Sequence, residues 1–177
     1  MIQKTSFIIL SVLLMSSFTV FDFSEEDNWS NWEIENDRVM GGISTAEMVR
    51  TDAGSALFKG SVSLENNGGF ASVQYRFSTV DVTPYSKAVF RIKGDGKRYQ
   101  FRVKADLSDR YSFVQTFETT GKWQVIEIPL ENMYPVYRGR DVNRPNFDAD
   151  QIEEVRFLIG NKKPQNFALE IDKITLE

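Results

Sequence analysis

Along most of this chain apolar and polar residues alternate one by one. The clearest run is Tyr99 to Ala105, where Tyr99, Phe101, Val103 and Ala105 fall on one side and Gln100, Arg102 and Lys104 on the other. Period two marks a strand with one face buried and one wetted, as in antiparallel sheets. Phe70 to Phe77 repeats the pattern, with Ala71, Val73, Tyr75 and Phe77 opposite Ser72, Gln74 and Arg76. Ala88–Lys93, Tyr111–Phe117 and Trp123–Leu130 follow the same rule. Val20–Phe23, Thr45–Arg50, Ala56–Leu64, Val155–Ile159 and Phe167–Leu176 complete about ten expected strands. Turn residues such as Thr51-Asp52-Ala53-Gly54-Ser55 and Gly94-Asp95-Gly96 separate them. Asp148–Glu154 is expected to form the single helical turn, with Asp148 as its N-cap. Glu131–Phe147 has no period, and a loop of that length is expected to serve function or cover a sheet edge. The pattern predicts an all-β chain with little or no helix, built as a β-sandwich or jelly roll.

Composition narrows the chemistry more than the fold. The 177 residues are 41% hydrophobic and 26% charged, enough for one domain with a sizeable core. The net charge of −4 gives no global basic field, so a nucleic-acid partner is not expected. The chain has neither Cys nor His. Thiolate nucleophiles, zinc–thiolate sites, disulfides and imidazole acid–base chemistry are therefore absent. Paired carboxylates remain the one common catalytic device available. Asp37, Glu65, Asp95 and Glu127 are the candidates, and no spacing singles out a pair. No catalytic residue and no cofactor is expected, and the sequence leaves open whether loop Asp and Asn residues hold a calcium ion.

Near the N-terminus, Lys4 precedes the apolar run Phe7 to Met15. One positive charge before a short apolar core is the outline of a secretory signal peptide, too short to span a bilayer. Residues 1–19 are read as a signal peptide or N-terminal hydrophobic segment, and 20–177 as one β-sandwich domain. Export to the periplasm or the extracellular space is the expected location. If the segment is retained, it gives a membrane tether and the only membrane contact.

Three glycine-bearing turns punctuate the strands. The first is Asn36-Asp37-Arg38-Val39-Met40-Gly41-Gly42-Ile43-Ser44, the second Asn66-Asn67-Gly68-Gly69-Phe70 and the third Gly94-Asp95-Gly96. Adjacent glycines let the backbone reach positive φ and let another group approach closely. On a structural reading, Asn36 or Asp37 caps backbone N–H groups. On a binding reading, Asp37 and Arg38 make polar contacts and Met40 an adaptable apolar one. If the first two blocks share one end of the sandwich, Asn36, Asp37, Arg38, Met40, Gly41, Gly42, Ser44, Asn66, Asn67, Gly68 and Gly69 line one site.

These blocks resemble the complex I intermediate-associated protein 30 family. Asn36-Asp37-x-Val39-Met40-Gly41-Gly42-x-Ser44 is similar to the family hallmark, and Asn66 to Ser72 to its second block. Gly94-Asp95-Gly96 with Tyr99, the Trp123 strand and Pro135-x-x-Arg138-Gly139-Arg140 continue in the family's order, from about Phe21 to Glu177. The resemblance implies a jelly-roll sandwich of the galactose-binding-domain-like type. Eukaryotic members are implicated in assembling the mitochondrial NADH:ubiquinone oxidoreductase, and plant relatives in chloroplast biogenesis. It supplies no catalytic residues. The implied role is a non-catalytic accessory or assembly-factor-like domain with a protein partner. The alternative is a carbohydrate-binding module, which would need Trp29, Trp32 or Tyr137 exposed over a polar groove.

Two further surfaces stand out. Arg76, Arg91, Lys93, Arg102 and Lys104 all fall on the polar sides of their strands. They form a basic sheet face if those strands are neighbours, or a solvated face offset by nearby carboxylates. In the long loop, Tyr134, Tyr137, Arg138, Arg140 and Arg144 combine the residue types of interaction hot spots. The same residues suit a segment folded over a sheet edge.

Overall fold

The computed structural model describes residues 17–177. The N-terminal apolar run that suggested a signal peptide, Phe7 to Met15, lies outside them. In chain order the strands are β1 (Phe18–Asp22), β2 (Trp32–Asn36), β3 (Thr45–Arg50), β4 (Ala56–Val62) and β5 (Ala71–Asp81). Next come β6 (Lys87–Lys93), β7 (Arg98–Lys104), β8 (Ser112–Glu118) and β9 (Trp123–Pro129). The last are β10 (Tyr134–Tyr137), β11 (Arg140–Asp141), β12 (Gln151–Ile159) and β13 (Gln165–Leu176). Helical structure among the described residues is limited to 3-10 turns at Asp37–Met40, Glu65–Asn67 and Leu130–Asn132.

Two antiparallel sheets face each other. One runs β3-β4-β13-β6-β9, with β1 also paired to β13; the other runs β11-β10-β8-β7-β12-β5-β2. The apolar member of each alternating pair points between the sheets. Phe90 of β6 meets Phe101, Phe117 and Phe157 of the opposite sheet at ring separations of 4.8, 5.1 and 5.2 Å. Face-to-face burial of two such apolar surfaces is the main stabilising force of a sandwich. The expected all-β sandwich is therefore the observed fold.

A second aromatic group closes one end. Phe21, Phe23, Trp29, Trp32 and Tyr75 contact one another at 4.6–5.5 Å. Because Phe18 and Thr19 already pair with Leu176 and Thr175, β1 starts ahead of the domain boundary expected at residue 20.

Two local expectations fail, each for a visible reason. Asp148–Glu154 contains no helical turn, since β12 begins at Gln151. A bulge between Ile152 and Glu154 interrupts its alternation, and this removed the strand signal from the sequence. The aperiodic stretch 131–147 holds the β10–β11 hairpin, whose connecting Arg138 and Gly139 both have positive φ (49° and 74°). Such a two-residue turn matches strand twist. Trp32–Asn36, a segment outside the expected strands, forms the edge strand β2 beside β5.

Candidate functional site

The first two glycine blocks meet at one end of the sandwich, around Asp37. This carboxylate is fully buried. Oδ1 accepts the Ser44 amide at 2.9 Å, and Oδ2 accepts the amides of Gly69 (2.6 Å) and Phe70 (3.3 Å) and the Ser44 hydroxyl. Ser44 Oγ in turn accepts the Ser63 amide at 2.9 Å, tying in the end of β4. Burial alone raises the Asp37 pKa, but these donors outweigh it and hold the carboxyl below its ordinary value.

The glycines divide the work. Gly41 and Gly69 take φ of +90° and +141°. Gly42 and Gly68 instead make room for the carboxylate. A Cβ on Gly42 would lie 2.4 Å from Asp37 Cγ and Oδ1, and one on Gly68 would lie 2.6 Å from Oδ2. The group that approaches these glycines closely is thus the chain's own Asp37. Asn36 accepts the Arg38 amide at 3.4 Å, while Asn66 and Asn67 supply positive φ of 54° and 61°. Asp37, Gly42, Ser44 and Gly68 thus form a structural clasp.

What the clasp leaves outside is apolar. Val39 is 70% exposed and Met40 54%, with Ile43 and Leu64 also open. Ile43 and Leu64 border a groove of about 610 Å³ with Thr45, Ser61, Glu65 and Pro164. Arg38 stands exposed beside them. Val39, Ile43 and Leu64 were not among the candidates read from the sequence. Their signal was available as apolar residues inside loops otherwise made of Asn, Asp and Gly.

The long-loop candidates lie elsewhere. Tyr137, Arg138 and Arg140 sit at the β10–β11 hairpin, with the guanidinium carbons of Arg110 and Arg138 5.5 and 5.4 Å from the Tyr137 ring. Arg138 and Arg140 are exposed, whereas Arg144 is tied down by a 2.6 Å bond to the Tyr111 hydroxyl. The segment extends the sheet edge and also presents two exposed arginines.

The five expected cations do not share a face. Arg91 and Lys93 stand on the six-stranded sheet, where Asp172 (2.8 Å) and Glu170 (3.8 Å) pair with them. Arg76, Arg102 and Lys104 belong to the seven-stranded sheet, and β12 separates β5 from β7. The sequence could not reveal that split because chain neighbours β5, β6 and β7 are not sheet neighbours.

Trp29 and Trp32 pack into the aromatic end group, and Arg50 covers Trp29 at 4.9 Å. The carboxylate candidates are scattered: Asp95 accepts from Lys97, Tyr99 and the Ala168 amide, and Glu127 pairs with Lys87. Among the described residues no three acidic side chains gather as a metal site.

The family model for complex I intermediate-associated protein 30 matches residues 21–171, which contain the clasp, both glycine blocks and the hairpin. The chain belongs to that family. It is 27% identical to the mitochondrial complex I intermediate-associated protein 30 of Drosophila melanogaster, over 89% of this chain and 62% of that protein. It is 24% identical to the probable mitochondrial counterpart of Caenorhabditis elegans, over 87% of this chain and 52% of the relative. The chain thus spans roughly half to three-fifths of the length of these relatives. Among solved structures, the family 11 carbohydrate-binding module of a Clostridium thermocellum cellulosomal cellulase superposes with a TM-score of 0.70. That match covers 93% of this chain and 95% of the module at 20% identity, a likeness of fold.

These relatives correct one expectation. Export was read from a short apolar run, but both family relatives are named as mitochondrial proteins, which points away from the periplasm and the extracellular space. The tether reading loses its basis with it. Among the described residues no helix is long and apolar enough to cross a membrane.

Proposed function

We propose that this chain is a non-catalytic accessory domain that binds a protein partner through the loop surface fixed by Asp37. The observation that carries the reading is the exposed Val39-Met40 pair, joined by Ile43 and Leu64. Large apolar side chains held open on rigid loops are costly to leave in water and are covered when a partner docks. A buried carboxylate that fixes both loops lowers the ordering cost at the moment of binding. The partner class indicated by the family relatives' names is an intermediate of respiratory complex I. The Arg138–Arg140 hairpin supplies a polar contact beyond the apolar surface.

The test is affinity capture from host extract with the purified domain, comparing the parent with Met40→Asp and with Arg138→Ala/Arg140→Ala. Capture of complex I subunits by the parent, lost in Met40→Asp and weakened in the hairpin variant, is the expected result. Both variants should unfold at the parent's temperature. Selective binding on a glycan array, with no complex I subunit captured, would overturn the proposal.

A further inference from the structure

The outer face of the seven-stranded sheet carries an ionic layer that the loop surface does not explain. From β2 through β5 to β12 it alternates in sign. Arg76 meets Glu33 and Glu154 at 3.1 Å each, and Arg156 meets Glu154 at 3.1 Å and Glu35 at 3.3 Å. Every cation there has two carboxylates. The network stops at β12.

One strand further, Arg102 stands directly opposite Arg156 in the β7–β12 register. It makes no ion pair among the described residues. Its only hydrogen bonds run from Nε and Nη2 to Gln100 Oε1, at 3.0 and 2.6 Å. Burial first, and the Arg156 charge second, push its pKa down to about 10. Like charges placed opposite each other on a sheet are destabilising, and the nearby Glu35 offsets this only in part, since it does not reach Arg102 as an ion pair. On its other side the register brings Val114 and then Tyr134, neither of which carries a carboxylate.

A second unpaired polar atom lies on the same face. Gln74 is 2% exposed, and its Oε1 accepts nothing, although Nε2 donates to Glu33 at 3.2 Å. The face thus offers a guanidinium short of an anion, whereas the Gln74 acceptor is closed off from solvent. Val114, Val136 and Leu158 are also buried there, apart from the core between the sheets.

We propose that the outer face of the seven-stranded sheet binds a carboxylate of an acidic peptide segment, seated on Arg102 between Arg156 and Tyr134. A carboxylate matches the guanidinium fork and neutralises the Arg102–Arg156 repulsion. A dianion such as phosphate is disfavoured because Glu35 and Glu154 flank the position. The site is independent of the Val39–Met40 surface.

The test uses a decapeptide of alternating Glu and Ala, with a Gln-for-Glu peptide as control, titrated into the domain by NMR and calorimetry. The expected result is binding of the Glu peptide alone, weakened at least tenfold in Arg102→Met and less in Arg102→Lys. Arg102→Met should also melt no lower than the parent, because it removes an uncompensated charge. Lys93→Met, on the other sheet, and Met40→Asp should bind the peptide as the parent does. Equal binding of both peptides, unchanged binding by Arg102→Met, or binding of oligogalacturonate or inorganic phosphate without the Glu peptide would each overturn the proposal. A melting temperature lowered by Arg102→Met would do the same, since it would give the residue a structural role.

Discussion

Asp37 and Glu154 are both buried carboxylates, and the fold satisfies them in opposite ways. Asp37 is met by neutral donors: three backbone amides and a hydroxyl, all from its own loops and their flanks. Glu154 is met by two guanidinium groups, Arg76 and Arg156, reaching in from the strand faces. The first arrangement closes on itself and leaves no charge in want of a partner. The second is an open chain of ion pairs, and such a chain has an end, which here is the unpaired Arg102. Backbone amides make a lock, whereas charged side chains make a surface that still has something to bind.

Asp37→Ala should have the largest effect, about 3–4 kcal/mol by urea unfolding, because several buried donors lose their acceptor at once. The acid limb sharpens the point. The folded Asp37 pKa is depressed, so its contribution is full above the ordinary value of 3.8 and is lost as pH falls through the lower folded value. Asp37→Asn should flatten that limb in acid denaturation; an unchanged limb would mean that the carboxylate is not what the loops hold.

Gly42→Ala comes next, at about 2–3 kcal/mol, because its Cβ would overlap Asp37 Cγ and Oδ1. A melting temperature within a degree of the parent would refute the close packing. Glu154→Ala should cost about 2 kcal/mol, and the loss should shrink in high salt because part of both arginines reaches solvent. An equal loss in low and high salt would make Glu154 resemble Asp37 and dissolve the contrast. Smallest is Lys93→Ala, about 0.3 kcal/mol, since its exposed pair with Glu170 is long.

The same contrast explains how much the sequence disclosed. Alternation located most strands, and the β3 limits coincide with the expected Thr45–Arg50. It failed where a bulge puts Glu153 and Glu154 side by side, and where the short β10–β11 hairpin leaves too few residues to repeat. The motifs marked the Asp37 end because its donors lie within two short blocks of sequence. They could not show that Gly42 and Gly68 make room for Asp37 itself, since the Gly68 contact joins two blocks some thirty residues apart. The Arg102–Arg156 juxtaposition was invisible for a stronger reason. It needs β12 inserted between β5 and β7, and no local signal encodes strand order.

That insertion also governs when the molecule can exist. In the seven-stranded sheet β12 joins β5 to β7, and in the six-stranded sheet β13 joins β4 to β6; these are the last two strands among the described residues. Both strands follow, in the sequence, every strand that they join. Until residues 151–176 emerge, β5 has no link to β7, and β4 none to β6, so neither sheet can close. Early folding is therefore confined to hairpins such as β3–β4, β7–β8 and β10–β11, and the slow step is the closure of both sheets by strands far along the sequence from their partners.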